Sequence, residues 1–361
     1  MMKLYTVGPV EMYDEILEIR GKQLPYFRTE EFSAMMLQAD AMLHRIIRAP
    51  EGAKTIYLTA SGTGAMEATV MNCFDETDKV LIVNGGGFGE RFVEICKVHN
   101  IAYTEVKVSI EDELSKEKLN EYKGEYTGLL VNVHETSIGK LYPIDVISEF
   151  CKENNMYLIV DAISSLFADE YDMEKYGVDA TIFSSQKALA LAPGMSVVVL
   201  SKRIVERKVL SANVKNLYFD FKKYLENFER GQTPFTPAVG IFIEYAKMLE
   251  MIELQGIDVK IREVKEKADD FRKLATELGF EVPKYRMSNA LTPIFFKRGA
   301  KTIYNILKDK KACVVTPSGG KLEDKILRIG HMGNLKKSDG RDLLYAMHEA
   351  MKEIEMQGGM E

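Results

Sequence analysis

At 361 residues the chain is too long for one ordinary compact core, and it fits a large domain with a smaller companion. Hydrophobic residues make up 46% and charged residues 28%, with no low-complexity run or Pro/Ser-rich linker, which excludes a disordered chain. The net charge is -6, and Lys and Arg are interleaved with Asp and Glu, which excludes the basic stripe of a nucleic-acid binder.

Residues 1–10 lack the charged start and apolar stretch of a signal peptide, and no apolar run approaches the roughly 18 residues of a membrane span. A cytoplasmic protein with no membrane partner is expected, ordered except in its last few residues, Gln357 to Glu361. From about residue 51 to residue 200, short apolar runs alternate with helix-length amphipathic stretches, the pattern of βαβ units and a parallel sheet. Strands are expected at 55–59, 79–83, 102–106, 128–133, 157–160, 180–183 and 196–200, with helices between them at 64–72, 88–99 and 145–154. All but one of the runs are continuous and β-branched, as in strands covered on both faces. A right-handed doubly wound sheet gathers the loops after the strands' carboxyl ends on one side, where ligands bind. Beyond Thr236-Pro237 a long helical stretch, 239–278, leads into an α+β pattern of strand 293–297, helix 300–308, strand 325–330 and helix 338–355. A domain boundary is expected near Gln255-Gly256. Cys73, Cys96, Cys151 and Cys313 form no CxxC pair and have no His at metal-ligand spacing, so they read as reduced core residues and no metal site is expected. Cys313, in Lys311-Ala-Cys-Val-Val315, reads as part of a buried strand rather than as a sulfur-transfer nucleophile on a mobile loop.

Residues with chemical potential fall at successive strand ends. Thr59-Ala-Ser-Gly-Thr-Gly-Ala-Met-Glu67 follows a strand and opens a helix, so backbone N–H groups near Thr63, Gly64 and Ala65 can bind a phosphate. It is neither GxGxxG nor GxxxxGK[ST], which weakens dinucleotide and nucleoside-triphosphate readings. Asn84-Gly-Gly-Gly-Phe-Gly89 places Phe88 at the same sheet edge, where its ring can stack on a flat cofactor or simply pack. In His134-Glu-Thr-Ser-Ile-Gly139, the hydroxyls of Thr136 and Ser137 can meet a phenolic oxygen or cap the turn. Asp161 ends an apolar strand, where a carboxylate needs a positive partner such as a pyridinium nitrogen. Lys187 lies among small and apolar residues after another strand, where desolvation lowers an amine's pKa and favours the neutral nucleophile.

Taken together, these segments resemble the class V aminotransferases of the fold type I group of pyridoxal 5'-phosphate (PLP) enzymes. The matching elements are Ser61 to Gly64, Gly87-Phe88-Gly89, Glu135 to Gly139, Val160-Asp161 and Ser185-Gln-Lys187 with Pro193-Gly194. The likeness extends from Val7-Gly-Pro9 through Arg28-Thr-Glu-Glu-Phe32 to Leu327-Arg-Ile-Gly-His-Met-Gly333. The resemblance implies an α/β protein with a large PLP-binding domain, residues 15–255, built on a mostly parallel seven-stranded sheet. It implies a smaller C-terminal α+β domain, residues 256–361 together with 1–14. It also implies a homodimer with active sites at the subunit interface.

By the same resemblance, Lys187 holds PLP as a Schiff base and Asp161 partners the pyridinium. Phe88 stacks on the ring, Thr136 neighbours its phenolic oxygen, and Gln186 and Thr63 touch the phosphate, joined by Thr236 from a neighbouring subunit. Arg328 clamps the substrate carboxylate and Gly8 closes the site. Ile138 stands where many relatives carry Thr, and Phe88 where some carry Trp or Tyr. The implied reaction moves an amino group between a small donor (alanine, serine or 2-aminoethylphosphonate type) and a 2-oxo acid acceptor, pyruvate or glyoxylate. Two other readings are a PLP lyase or cysteine desulfurase on the same fold, which needs a cysteine on a flexible loop, and a non-catalytic regulator, which would have lost Lys187 or Asp161.

Overall fold

The computed structural model describes residues 2–122 and 124–356. The expectation for Gln357 to Glu361 lies outside the described residues. Seven strands form one sheet in the order Lys54–Leu58, Ser196–Leu200, Ala180–Ser184, Tyr157–Asp161, Gly128–Asn132, Lys79–Asn84 and Ala102–Lys107. They coincide with the expected runs to within a residue at either end. Within this sheet Ser196–Leu200 runs antiparallel to both neighbours, and the remaining pairings are parallel.

The strand pleat sorts side chains onto two cores. Leu81, Val83, Leu129, Val131, Leu158 and Val160 enter one, while Val80, Ile82, Leu130 and Ile159 enter the other. Each such side chain contributes roughly 1.5–3 kcal/mol by leaving water, which is why these strands tolerate no polar face. Ala102–Lys107 lies at the sheet edge, and of its residues only Val106 is buried. The register sets Asn132 beside Asp161 and Asp161 beside Ile182, so the polar strand ends stand level on one side of the sheet.

The C-terminal part carries its own core around Phe271, Ile294, Ile303, Leu307, Leu327 and Leu344. Its sheet is antiparallel, in the order Leu291–Phe295, Ile326–Gly330, Thr316–Pro317. The helices Ala300–Lys311 and Lys337–Met356 belong to this part, as expected. The N-terminal strand Lys3–Leu4 pairs with Cys313–Val314, and Gly330 N–H donates to the Tyr5 carbonyl at 2.8 Å.

Three points add to or revise the expectations. The helical stretch 239–278, within which a boundary is expected near Gln255-Gly256, is two separate helices, Val239–Gln255 and Ile257–Glu277, that meet at Gly256, whose φ of 91° suits a residue without Cβ. A 17-residue helix, Glu30–Ile46, is added: Thr29 caps it by accepting from Phe32 N–H, and Phe32, Met36, Ala39, Leu43 and Ile46 turn inward. Cys313 is half-buried in a two-residue strand rather than deep in a core, because Ala312, at φ 53°, ends the preceding helix and little chain follows before Thr316. Cys73, Cys96 and Cys151 are buried free thiols. Among the described residues no helix is long and apolar enough to cross a membrane.

Candidate active site

Lys187 and Asp161 organise the site. Asp161 is 5% exposed, accepts one hydrogen bond, from Ile163 N–H at 2.8 Å, and has no salt bridge among the described residues. Burial is the main force that pushes its pKa up to about 7; the Ile163 N–H and Lys187 oppose the rise, and Glu135 adds to it. Burial likewise brings the Lys187 amine down to about 8, against the pull of Asp161 and with help from Arg328 and Arg91. A carboxylate and an amine that influence each other and are both shifted toward neutrality are what proton transfer requires.

The N-terminal segment closes over the lysine. Lys187 Nζ donates to the Val7 carbonyl at 2.8 Å. A Cβ on Gly8 would fall 2.6 Å from Lys187 Cδ, and Gly8 has φ 127°, so only glycine lets the segment lie this close.

The turn after Lys54–Leu58 opens the helix Gly62–Cys73. It is anchored from the sheet by Ser196 Oγ, which donates to the carbonyls of Ala60 and Ser61 at 2.8 and 2.9 Å. Of the three residues expected at a phosphate, Thr63 fits best, because its N–H and that of Gly62 have no partner among the described residues. Gly64 N–H is held by the Ser61 hydroxyl at 3.3 Å. Ala65 is corrected: its N–H donates to the Ser61 carbonyl at 3.1 Å and its side chain is fully buried, so it offers an anion nothing.

The second glycine turn behaves differently. It opens the helix Gly87–Val98, but the helix start is occupied by Glu135, a fully buried carboxylate that accepts from Gly89 N–H at 3.2 Å and Phe88 N–H at 3.5 Å. Glu135 also accepts from Asn132 Nδ2 at 3.0 Å and from the N–H and hydroxyl of Ser137. For Ser137 the turn-capping alternative therefore holds. The Phe88 ring is half-buried, and the Arg91 guanidinium lies 4.9 Å from its centroid while donating to Thr63 Oγ1 at 3.1 Å. Glu135 stands in the His134 to Gly139 motif without an assigned role, and Arg91 is not singled out in the sequence; both adjoin the candidate site. Arg91 had a signal, since it stands three residues after Phe88 on a helix and hence on the same face.

Thr136 is buried, with its hydroxyl 2.6 Å from Ser164 Oγ. Arg328, from the C-terminal sheet, donates to the carbonyls of Thr136 at 3.1 Å and Pro317 at 2.7 Å, and its Nε is buried without a partner. Burial lowers its pKa to about 10, so it remains charged at neutral pH. Gln186 is half-buried beside Lys187, and its amide makes no hydrogen bond among the described residues. Thr236 is exposed and touches none of the other site residues through a hydrogen bond; its loop is pinned by Arg28, which donates to Gln232 Oε1 and the Thr233 carbonyl at 3.0 and 2.9 Å.

A family model described as aminotransferase class-V matches residues 24–322. An uncharacterised aminotransferase of Helicobacter pylori is 30% identical, over 98% of this chain and 95% of the relative. The solved aspartate aminotransferase of subgroup IV from Thermus thermophilus is 27% identical with a TM-score of 0.89, covering 98% of this chain and 99% of that one. The alanine–glyoxylate aminotransferase of Nostoc sp. superposes with a TM-score of 0.91 at 24% identity, covering 97% and 95% of the two chains.

Proposed function

The chain belongs to the class V aminotransferases, which are PLP-dependent enzymes of fold type I, and from that premise we propose that it moves an amino group between a small amino donor, of the alanine, serine or 2-aminoethylphosphonate type, and pyruvate or glyoxylate. The observation that carries the reading is that Lys187 and an almost unpartnered buried Asp161 lie within electrostatic reach of each other at one end of the sheet.

The residues present fit PLP. Asp161 lacks the positive partner that a pyridinium N–H provides, Phe88 offers a ring face, and Thr63 with Gly62 and Gly64 forms a helix start suited to an anion. Lys187 is the covalent attachment point. When bound, PLP supplies an electron sink for the substrate's α-carbon. Lys187 would be the general base and acid beside it: with a pKa of about 8 its amine could take up and give back a proton at the substrate's α-carbon. Asp161 keeps the ring-nitrogen proton in place, Thr136 orients the phenolic oxygen, Arg328 holds the substrate carboxylate and Gly8 excludes water above the lysine.

The same reading keeps residues 15–255 as the cofactor-binding domain, residues 256–361 with 1–14 as the companion, and a cytoplasmic homodimer in which Thr236 serves the neighbouring site. Support for a dimer comes from apolar side chains left in water on adjoining elements: Leu17 is 48% exposed, Leu24 49%, Tyr26 67% and Leu37 42%. Cysteine desulfuration is disfavoured, because Cys313 Sγ donates to the Lys311 carbonyl and its backbone is paired with Lys3 instead of riding a free loop.

Borohydride reduction of the purified enzyme followed by peptide mapping tests the assignment. The expected adduct is on Lys187, and Lys187→Ala is expected to abolish turnover. An adduct on another lysine overturns the site. A donor screen against pyruvate and glyoxylate, with alanine, serine, 2-aminoethylphosphonate and aspartate, then identifies the substrate pair.

A further inference from the structure

Behind Thr136 a buried chain of polar groups ends on His134, a residue the reaction as described does not use. His134 Nδ1 lies 2.9 Å from Ser164 Oγ and 3.3 Å from the Ser164 carbonyl, and Ser164 Oγ lies 2.6 Å from Thr136 Oγ1. All three residues are buried. The Ser164 hydroxyl can donate or accept, but its carbonyl can only accept, which favours the proton on Nδ1. The other nitrogen, Nε2, is buried without a partner. A buried N–H without a partner is rarer and harder to accommodate than an unpaired acceptor, which selects the same tautomer. Burial, together with the positive charges of Lys187, Arg272 and Arg328, brings the ring's pKa down to about 3 despite the opposing Ser164 carbonyl, so the imidazole is neutral and one nitrogen must be bare.

The tautomer fixes the direction of everything beyond it. With Nδ1–H donating to Ser164, the Ser164 hydroxyl keeps its own proton for Thr136 Oγ1. Thr136 then has its own proton to give, either to the His134 carbonyl, a long hydrogen bond of 3.3 Å, or outward to a ligand oxygen that competes with that carbonyl. In the opposite tautomer Ser164 would donate to the ring, Thr136 would donate to Ser164, and no proton would remain for a ligand.

We infer that His134 is a positioning residue that, through Ser164, makes Thr136 a hydrogen-bond donor to the phenolic oxygen of the cofactor. The inference rests on the place given to Thr136 in the proposed function. A donor at that oxygen stabilises its negative charge after the proton it shares with Lys187 Nζ is lost, and so lowers the pH at which that loss occurs. Lys187, Asp161, Arg91 and Arg328 also face this group, and the variants below leave all four in place.

The test is a pH titration of the bound-cofactor absorption band. Ser164→Ala and His134→Leu are each expected to raise the midpoint by about one pH unit, a tenfold change in proton affinity. His134→Asn, whose amide nitrogen can stand in for Nδ1, is expected to restore most of the wild-type midpoint, which a purely space-filling role would not do. If His134→Leu fails to fold, Ser164→Ala carries the same expectation alone. An unmoved midpoint in Ser164→Ala, with a normally titrating wild type, overturns the inference and leaves the proposed function standing. A wild-type protein without the band would instead sink the proposed function. Nitrogen-15 NMR of the histidine-labelled holoenzyme gives an independent reading: the Nδ1–H tautomer is expected for His134, and Nε2–H would overturn the inference.

Discussion

Asp161 is the last residue of its strand and Glu135 lies just past the end of the neighbouring parallel strand, and both are buried carboxylates. Among the described residues, Glu135 accepts from Phe88 N–H, Gly89 N–H, Asn132 Nδ2 and the N–H and hydroxyl of Ser137, whereas Asp161 accepts only from Ile163 N–H. The first carboxylate is spent inside the chain and closes the helix start in front of it. The second is held short of partners, and the helix start nearest in sequence to the Thr63 turn stays open. The lesson is that a polar side chain at a strand end marks a ligand site only where the rest of the chain declines to satisfy it.

This contrast predicts opposite signs for two conservative substitutions. The folded-state pKa of Asp161 is raised from 3.8 to about 7, so the folded protein binds this proton more tightly than the unfolded chain. Its contribution is therefore fully favourable below about pH 4, and stability is lost as pH rises from about 4 to about 7. Asp161→Asn, which keeps the acceptor for Ile163, is expected to stabilise the cofactor-free protein above about pH 7 by up to about 4 kcal/mol and to change little at about pH 3. In the loaded enzyme the same substitution should slow α-proton loss much more than it weakens PLP binding, since the carboxylate chiefly retains the ring-nitrogen proton. Glu135→Gln should do the reverse to stability. It replaces acceptor oxygen by a donor amide among five donors, and about 3 kcal/mol is expected to be lost. Urea melts of both cofactor-free variants at two pH values check the pair. Equal signs above about pH 7 would break the contrast.

The sequence alone carried the sheet and the order of the polar strand ends, because strands covered on both faces must be continuously apolar and an interruption by Asp161 or a following Lys187 stands out. It could not separate the two glycine turns. Ser61-Gly-Thr-Gly64 and Asn84-Gly-Gly-Gly-Phe-Gly89 look alike locally, and the difference is supplied by Glu135, which lies 46 residues from Gly89 and is brought there only by sheet pairing. The same holds for the His134–Ser164 contact, which joins residues 30 apart. The helix Glu30–Ile46 was legible in principle, since Thr29 followed by Glu30 and Glu31 is a helix-start pattern and the buried positions recur at helical spacing.

A smaller effect sharpens the open side of the contrast. Thr63→Val removes a hydroxyl that accepts from Arg91 and sits at the open helix start. PLP affinity is expected to fall about tenfold, or about 1.4 kcal/mol, with little change in melting temperature. Affinity for unphosphorylated pyridoxal should scarcely move. An equal loss for both ligands would remove the phosphate from this turn.

The smallest effect concerns the one site residue that the fold keeps apart. Thr236 is exposed, while the loop around it is fixed: Thr233 Oγ1 donates to the Phe235 carbonyl at 2.7 Å, and the Phe235 ring stacks on Tyr218 at 5.2 Å. Tyr218 in turn donates to the Thr59 carbonyl at 3.3 Å, which ties the loop to the strand end that leads into the chain's own Thr63 turn. A hydroxyl held in water on a rigid loop is available either to that turn or to a second copy of the chain. One charge-assisted hydrogen bond at an exposed position is worth about 1 kcal/mol, so Thr236→Val should weaken PLP retention about fivefold in either case. What separates the two is linkage. If the hydroxyl reaches across an interface, PLP and the partner subunit stabilise each other, and the wild-type dimer should tighten when PLP is added. In Thr236→Val most of that tightening should vanish, whereas a contact within one chain would leave it unchanged. Sedimentation with and without PLP measures this directly, and a fully active monomer at assay concentration would rule out the shared site.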